Sequence, residues 1–379
     1  MKNKVAIVKC SSYSPSEIAA VLRSAVKLSE NFPDVKGKKI LLKPNILSAS
    51  APEKAVTTHP EFVKQCVILL KELGAAEVMA GDSPGYHSSA AGGKKSGIMD
   101  AVTGAGGRWI DFADPVKLKN PSGKLVKSFN LASVINEADM IINLPKMKNH
   151  QLLYMTGGMK NLFGLIPGIE KSSYHLRFAE RTLFARMIVD LNLLVKPAFT
   201  IMDAVTAMEG PGPGSGKPRH AGLILASSNI LALDIAAVKI MGYRPHDIPV
   251  IAEALDRKKW LDSENDFETA GEKIEDAVIH DFRRIQILSD MTMFRDKMPG
   301  FLYNFLRRTA VPRPLFDHDK CIECGYCVRI CPAGALTLPT GPDSRVHIDY
   351  KKCINCYCCH EICPAKAISI KRMLFPPKD

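Results

Sequence analysis

Nine of the chain's eleven cysteines lie between positions 321 and 363, and eight of them form two quartets with one spacing. Cys321, Cys324, Cys327 and Cys331 precede Pro332, and Cys353, Cys356, Cys359 and Cys363 precede Pro364, each as C-x2-C-x2-C-x3-C-Pro. Four thiolates gathered by such short loops suit a soft, thiophilic centre such as an iron–sulfur cubane, which moves electrons one at a time. A disulfide framework fits poorly, because the cysteines crowd one segment of a long chain and no secretory signal is read at its start. Structural zinc uses paired C-x2-C knuckles, usually without a third cysteine and a Cys-Pro in each half.

The quartets resemble those of bacterial two-cluster ferredoxins. That resemblance implies two [4Fe-4S] clusters with crossed ligation, in which the fourth cysteine of each run serves the other cluster. The implied sets are Cys321, Cys324, Cys327 and Cys363 for the first cluster, and Cys353, Cys356, Cys359 and Cys331 for the second. The two halves also repeat at an offset of 32 residues: Asp317 matches Asp349, Lys320 Lys352, Ile322 Ile354, Ala333 Ala365 and Ala335 Ala367. Cys358 falls outside the register and reads as a buried spectator thiol, with a redox or alternative-ligand role as the competing reading. Cys10 and Cys66 sit in apolar segments and read as spectators.

These motifs belong to a chain of 379 residues with room for two or three domains, 46% hydrophobic and formally +12. Two oxidised clusters at about −2 each would lower that charge to roughly +8. No Arg/Lys block interleaved with stacking aromatics is present, so nucleic acid is not expected; acidic redox partners or anionic substrates account for the charge. The Val5–Val8 run is too short for a signal peptide and reads as a strand. No uncharged apolar stretch reaches the roughly 18 residues of a membrane span. A cytoplasmic protein working under reducing or anaerobic conditions is expected, of undetermined oligomeric state.

Residues 1–281 alternate short apolar runs with helical patterns, which predicts an α/β domain with a mainly parallel sheet and helices on both faces. Strands are expected at Val5–Val8, Ile40–Leu42, Glu77–Ala80, Met140–Asn143, Phe199–Met202 and Leu223–Ala226. Helices are expected at Ser16–Ser29, His59–Leu73, Tyr174–Leu194 and Asn229–Met241. Residues 282–316 read as a connecting helical segment and Pro-rich linker, with a membrane-surface helix as the less favoured alternative. Residues 317–379 form a small α+β two-cluster ferredoxin-like domain.

In open parallel sheets ligands bind beyond the carboxyl ends of the strands. Nearly every expected strand here runs into polar or Gly-rich residues, so one rim would gather Lys43, Asn45, Asp82, Lys146, Lys148, His150 and Asp203. Lysines supply charge-assisted donors, His150 a proton, and the aspartates a means of orienting a base or binding a cation. Singly, each such residue is more often a solvated or turn-forming group. Two Gly-rich stretches, Gly157–Gly164 and Gly210–Gly216, offer backbone N–H groups to a phosphate, yet neither matches a P-loop or a dinucleotide fingerprint.

The segments Lys43-Pro-Asn45, Gly81-Asp-Ser-Pro-Gly85, Asn143–His150 and Gly157-Gly-Met-Lys160-Asn-Leu-Phe-Gly164 resemble the DUF362 family, often fused to a ferredoxin module. The resemblance covers most of the chain and implies no reaction. An iron–sulfur oxidoreductase is the leading expectation. His150, Lys146 and Asp82 are its candidate catalytic residues, and Lys43, Asn45, Lys148, Lys160 and Asp203 would bind a small anionic substrate or a dissociable cofactor such as a flavin. The alternatives are a non-catalytic electron-transfer adaptor for a partner redox protein, and a cofactor-maturation factor.

Overall fold

Alternation of apolar side chains between two faces organises the large domain. In the computed structural model, which describes residues 3–168, 170–287, 299, 311–339 and 344–372, Ile40 and Leu42 enter a core with Leu22 and Phe62. Leu41, between them, enters a second core with Met202 and Leu231. A period of two buried on both faces is the signature of a doubly covered sheet.

In chain order the strands are β1 (Lys4–Lys9), β2 (Lys39–Pro44), β3 (Glu77–Ala80), β4 (Arg108–Trp109), β5 (Pro115–Lys119), β6 (Ser128–Ala132), β7 (Met140–Leu144), β8 (Lys146–His150), β9 (Tyr154–Thr156), β10 (Phe199–Glu209), β11 (Lys217–Ser227) and β12 (Glu268–Gly271). The main sheet runs β12-β1-β11-β10-β7-β2-β3-β4, with β8 branching from β10 and carrying β9. From β10 through β7, β2 and β3 to β4 every pairing is parallel; β11 is antiparallel to both its neighbours. Strands β5 and β6 form a separate ribbon. Helices Pro15–Ser29 and Pro60–Glu72 cover one face. Helices Arg181–Val195, Ile230–Ile240 and Pro249–Arg257 cover the other. The N-cap at Asn229 is real: its side chain accepts from the N–H of Leu231 and of Ala232, each at 3.1 Å.

Three expectations change. The helical run Tyr174–Leu194 is two helices, Glu170–Arg177 and Arg181–Val195, broken at an extended Glu180. The polar residues after Met140–Asn143 are not a loop: Lys146–His150 is itself a strand, buried throughout, between β10 and β9. Asp203 does not end its strand, which continues to Glu209, and it pairs in register with Lys146.

Of the expected connecting segment, residues 282–287 are non-helical. Residues 288–298 and 300–310 lie outside the described residues. Arg313–Phe316 is not linker but a strand, β13, antiparallel to β16 (Ile368–Lys371). Strands β14 (Leu336–Thr337) and β15 (His347–Ile348) form the matching pair, and short helices span Tyr326–Ile330 and Cys358–Ile362.

The 32-residue repeat is a structural repeat. The Asp317 N–H donates to Ala367 O and that of Asp349 to Ala335 O, both at 2.8 Å. The N–H groups of Ala335 and Ala367 reach the sulfurs of Cys331 and Cys363 at 3.3 Å. Gly325 and Tyr357, one repeat apart, share a left-handed backbone (φ +69° and +63°). The Tyr357 hydroxyl donates to Pro312 O at 2.9 Å.

Candidate functional site

The parallel strands β2 and β7 end side by side, Lys43 opposite Asn143. Beyond them three asparagines form a chain. Asn143 Nδ2 donates to Gly158 O (2.9 Å), Asn161 Nδ2 donates to Asn143 Oδ1 (2.8 Å) and Lys43 O (3.0 Å), and Asn45 Nδ2 donates to Asn161 Oδ1 (2.9 Å). This chain straps the 158–161 turn onto the strand ends and so places Lys160. The turn's own donors are already used: Asp234 accepts from Gly158 N–H (2.6 Å) and Met159 N–H (3.0 Å). A Cβ on Gly157 would stand 2.4 Å from Asp234 Oδ1. The glycines there serve a close carboxylate clasp, and their N–H groups are not open to phosphate.

Lys43 and Asp82 form a buried ion pair at 2.7 Å. Asp82 also accepts from the N–H of Ile46 (2.5 Å) and Ser83 (2.7 Å), so its carboxylate is saturated by structural partners. Burial pulls the Lys43 ammonium below the usual lysine range, against the pull of Asp82. Gly164 closes over this pair: a Cβ there would lie 2.1 Å from Asp82 Oδ1 and 2.6 Å from Lys43 Nζ.

Between these strand ends and the C-terminal module lies a cavity of about 100 Å³. The large domain faces it with Lys148, Lys160 and Lys171 and with His150 and His175, while Ile330, Cys358, Glu361 and Ile362 form the wall from the C-terminal module. Lys148 Nζ donates to Val56 O (2.6 Å) and Lys171 Nζ to Ser83 O (2.5 Å). Lys160 places its ammonium 5.6 Å from the centre of the Phe163 ring. Burial, then the charges of neighbouring cations, pushes Lys148 down to about 7. Burial likewise brings Lys171 to about 7 and His175 to about 3. Burial holds His150 well below the ordinary histidine value, so its ring is neutral at pH 7. Its Nδ1 accepts from the N–H of Leu152 (3.1 Å) and Leu153 (3.3 Å), which leaves the ring proton on Nε2.

The expected rim therefore divides. Asn45, Asp82, Lys148, His150 and Lys160 line the cavity, and Lys43 lies beneath it. Lys146 and Asp203 lie elsewhere, 2.8 Å apart, with the Tyr13 hydroxyl donating to Asp203 at 2.7 Å and accepting from Lys146 at 2.8 Å. The His59 N–H completes this carboxylate's partners at 2.9 Å. Adjacent parallel strands put the two side chains together, and the network is satisfied internally. Four contributors escaped the sequence reading: Thr156, Lys171, His175 and Glu361. Only Glu361 carried a signal, as a carboxylate inside a cysteine helix.

The cysteines divide as the crossed pattern requires. Cys321, Cys324, Cys327 and Cys363 surround one void, and Cys331, Cys353, Cys356 and Cys359 surround another. The thiol of Cys327 is pushed up to about 11 by burial and by its neighbours Cys363, Cys324 and Cys321. Cys353 reaches about 11 by burial, with Cys356 and Cys331 adding to it. Such crowded thiols resist ionising alone and suit a cationic iron–sulfide core, so the residues fit the group. Cys358 lies in the wall between the second void and the cavity. The Gly-rich 210–216 loop docks here: Cβ atoms on Gly212 and Gly214 would lie 2.2 Å from Asn149 O and 2.4 Å from Glu361 O.

The family described as "Domain of unknown function (DUF362)" matches residues 40–239, and a 4Fe-4S dicluster domain matches residues 320–367. The thylakoid-associated protein sll1697 of Synechocystis sp. is 33% identical over 268 residues, covering 66% of this chain and 78% of the relative. Among solved structures, a Thermotoga maritima protein aligns over 67% of this chain and 61% of its own, with 14% identity and a TM-score of 0.37. The lactate racemase apoprotein of Thermoanaerobacterium thermosaccharolyticum aligns over 62% of this chain and 56% of its own, with 11% identity and a TM-score of 0.39. Both alignments span less than two thirds of the matched structure. No helix among the described residues is long and apolar enough to cross a membrane.

Proposed function

The chain belongs to the DUF362 family and carries an iron–sulfur dicluster domain, and we propose that it is a redox protein acting on a small anionic molecule held in the seam cavity. Cys321, Cys324, Cys327 and Cys363 would hold one [4Fe-4S] cluster, and Cys353, Cys356, Cys359 and Cys331 a second. When bound, each would supply one electron at a time.

One observation carries the reading: a single cavity has lysines of the large domain on one side and the Cys358–Ile362 helix, which bears a proposed cluster ligand, on the other. Lys148, Lys160 and Lys171 would hold the anion, and His150 would present its Nε2 proton to it. The space suits a molecule of a few heavy atoms better than a three-ring flavin; an engineered apolar cavity of about 150 Å³ holds benzene.

The test is anaerobic purification of the reconstituted holoprotein and mass spectrometry of whatever is released on denaturation. The expected result is a small anion that re-oxidises the reduced protein, and a Lys160→Ala variant that keeps its iron but neither retains nor reduces that anion. A Lys160→Ala protein that passes electrons to a partner protein as fast as the wild type, with no anion bound to either, would favour the adaptor reading.

A further inference from the structure

We propose that the cavity selects a small carboxylate that also carries a neutral hydrogen-bond donor, a hydroxyl or an amide N–H, and that Asn45 and Glu361 recognise that donor. The inference rests on the cavity being a ligand site, as proposed above, but not on electrons reaching it.

Five buried polar atoms without a hydrogen-bond partner among the described residues belong to side chains that line this cavity: Asn45 Oδ1, His150 Nε2, Thr156 Oγ1, His175 Nδ1 and Glu361 Oε1. Their residues are deeply buried, His150 at 0%, Thr156 at 3%, His175 at 6% and Asn45 at 9% exposure; the Glu361 side chain is 13% exposed. His150 Nε2 and Glu361 Oε1 stand 3.3 Å apart without hydrogen-bond alignment, so each keeps its capacity for a third group.

Other contacts fix the polarity of two of these atoms. Asn45 donates from Nδ2 to Asn161, so its Oδ1 is the acceptor. Glu361 Oε1 accepts. His150 Nε2 donates, because Nδ1 is held as an acceptor. The three lysines donate. Donors outnumber acceptors, and their charge calls for an anion, but two unpartnered acceptors belong to the lining residues as well. A bare oxyanion would leave Asn45 and Glu361 facing lone pairs, and a buried acceptor left unmatched is costly. A ligand with a carboxylate at the lysines and a donor hydrogen shared by, or alternating between, Asn45 and Glu361 matches this lining better than a bare oxyanion. An ammonium donor is disfavoured beside three lysines, which leaves a neutral one. Phosphate finds no open backbone cradle, since the N–H groups of Gly158 and Met159 are committed to Asp234.

The test is anaerobic titration calorimetry of the reconstituted holoprotein with glycolate, acetate and inorganic phosphate. Glycolate, which adds only a hydroxyl to acetate, should bind at least about tenfold tighter than acetate and tighter than phosphate. Glu361→Ala should bring the glycolate-to-acetate ratio close to one, and Asn45→Ala should lower it independently, in a variant whose substitution is remote from the cysteines. Lys160→Ala should weaken both acids alike. Equal binding of glycolate and acetate, or tightest binding of phosphate, overturns this inference and leaves the anion site standing. Failure of all three probes to bind overturns the anion site itself, and this inference with it.

Discussion

His150 Nε2 lies 3.3 Å from Glu361 Oε1, and this contact crosses from the large domain to the cysteine-bearing module. It is not an ion pair, because burial keeps the imidazole neutral. The two groups instead present a donor and an acceptor side by side to the same small space. His150→Phe, which keeps the ring's bulk and removes the donor, is therefore expected to leave iron content unchanged and to weaken glycolate about tenfold by calorimetry. Unchanged affinity would remove His150 from the site.

The ammonium groups that line the cavity set its pH dependence. An unfolded lysine keeps its proton up to about 10.4, whereas Lys148 and Lys171 in the fold release theirs near about 7. Between these values the unfolded chain binds more protons, so the stability of the ligand-free protein should rise with pH. Anion affinity runs the other way, falling by up to roughly tenfold per pH unit for each lysine that must be charged. Thermal melts and glycolate isotherms from about pH 6 to 9 should show these opposite slopes, and parallel slopes would contradict the assignment.

Cys331 shares a void with Cys353, Cys356 and Cys359 although it follows Cys327 in sequence, as the proposed crossed ligation needs. Cys331→Ala should disturb the EPR signal of that second cluster and spare the first. Loss confined to the cluster of Cys321 would contradict the crossed sets. Cys358→Ala should retain the full iron content, because Cys358 walls the cavity from outside the quartet.

Gly164 has no room for a methyl group. In Gly164→Ala the new Cβ would fall 2.1 Å from Asp82 Oδ1 and force open the buried Lys43–Asp82 pair. Disrupting a buried pair costs about 3 kcal/mol or more, so a clear drop in melting temperature is expected, with loss of anion binding. A melting temperature equal to the wild type would show that the pair tolerates rearrangement.

Much of this protein is local and therefore readable in the chain. The cysteine spacing predicts the two converging sets, because each loop is short enough that its own backbone brings three thiols together. Runs such as Ile40–Leu42 and Glu77–Ala80 are strands because their apolar residues are buried on both faces, and Asn229 caps a helix through its own neighbours.

Partnership between distant segments was not readable. Lys146 and Asp203 resembled loop residues at a ligand rim, yet parallel pairing of β8 and β10 sets them side by side as an internal ion pair. Lys171 and His175 reach the cavity because the helix breaks at Glu180, where no proline or glycine marks the break. Glu361 meets His150 because the module docks there, over Gly214. By itself the sequence determined how the cysteines are grouped and six strands of the main sheet, since spacing and periodicity act within a few residues. Only the tertiary structure decided which polar groups share a cavity, because that depends on packing between segments more than 200 residues apart.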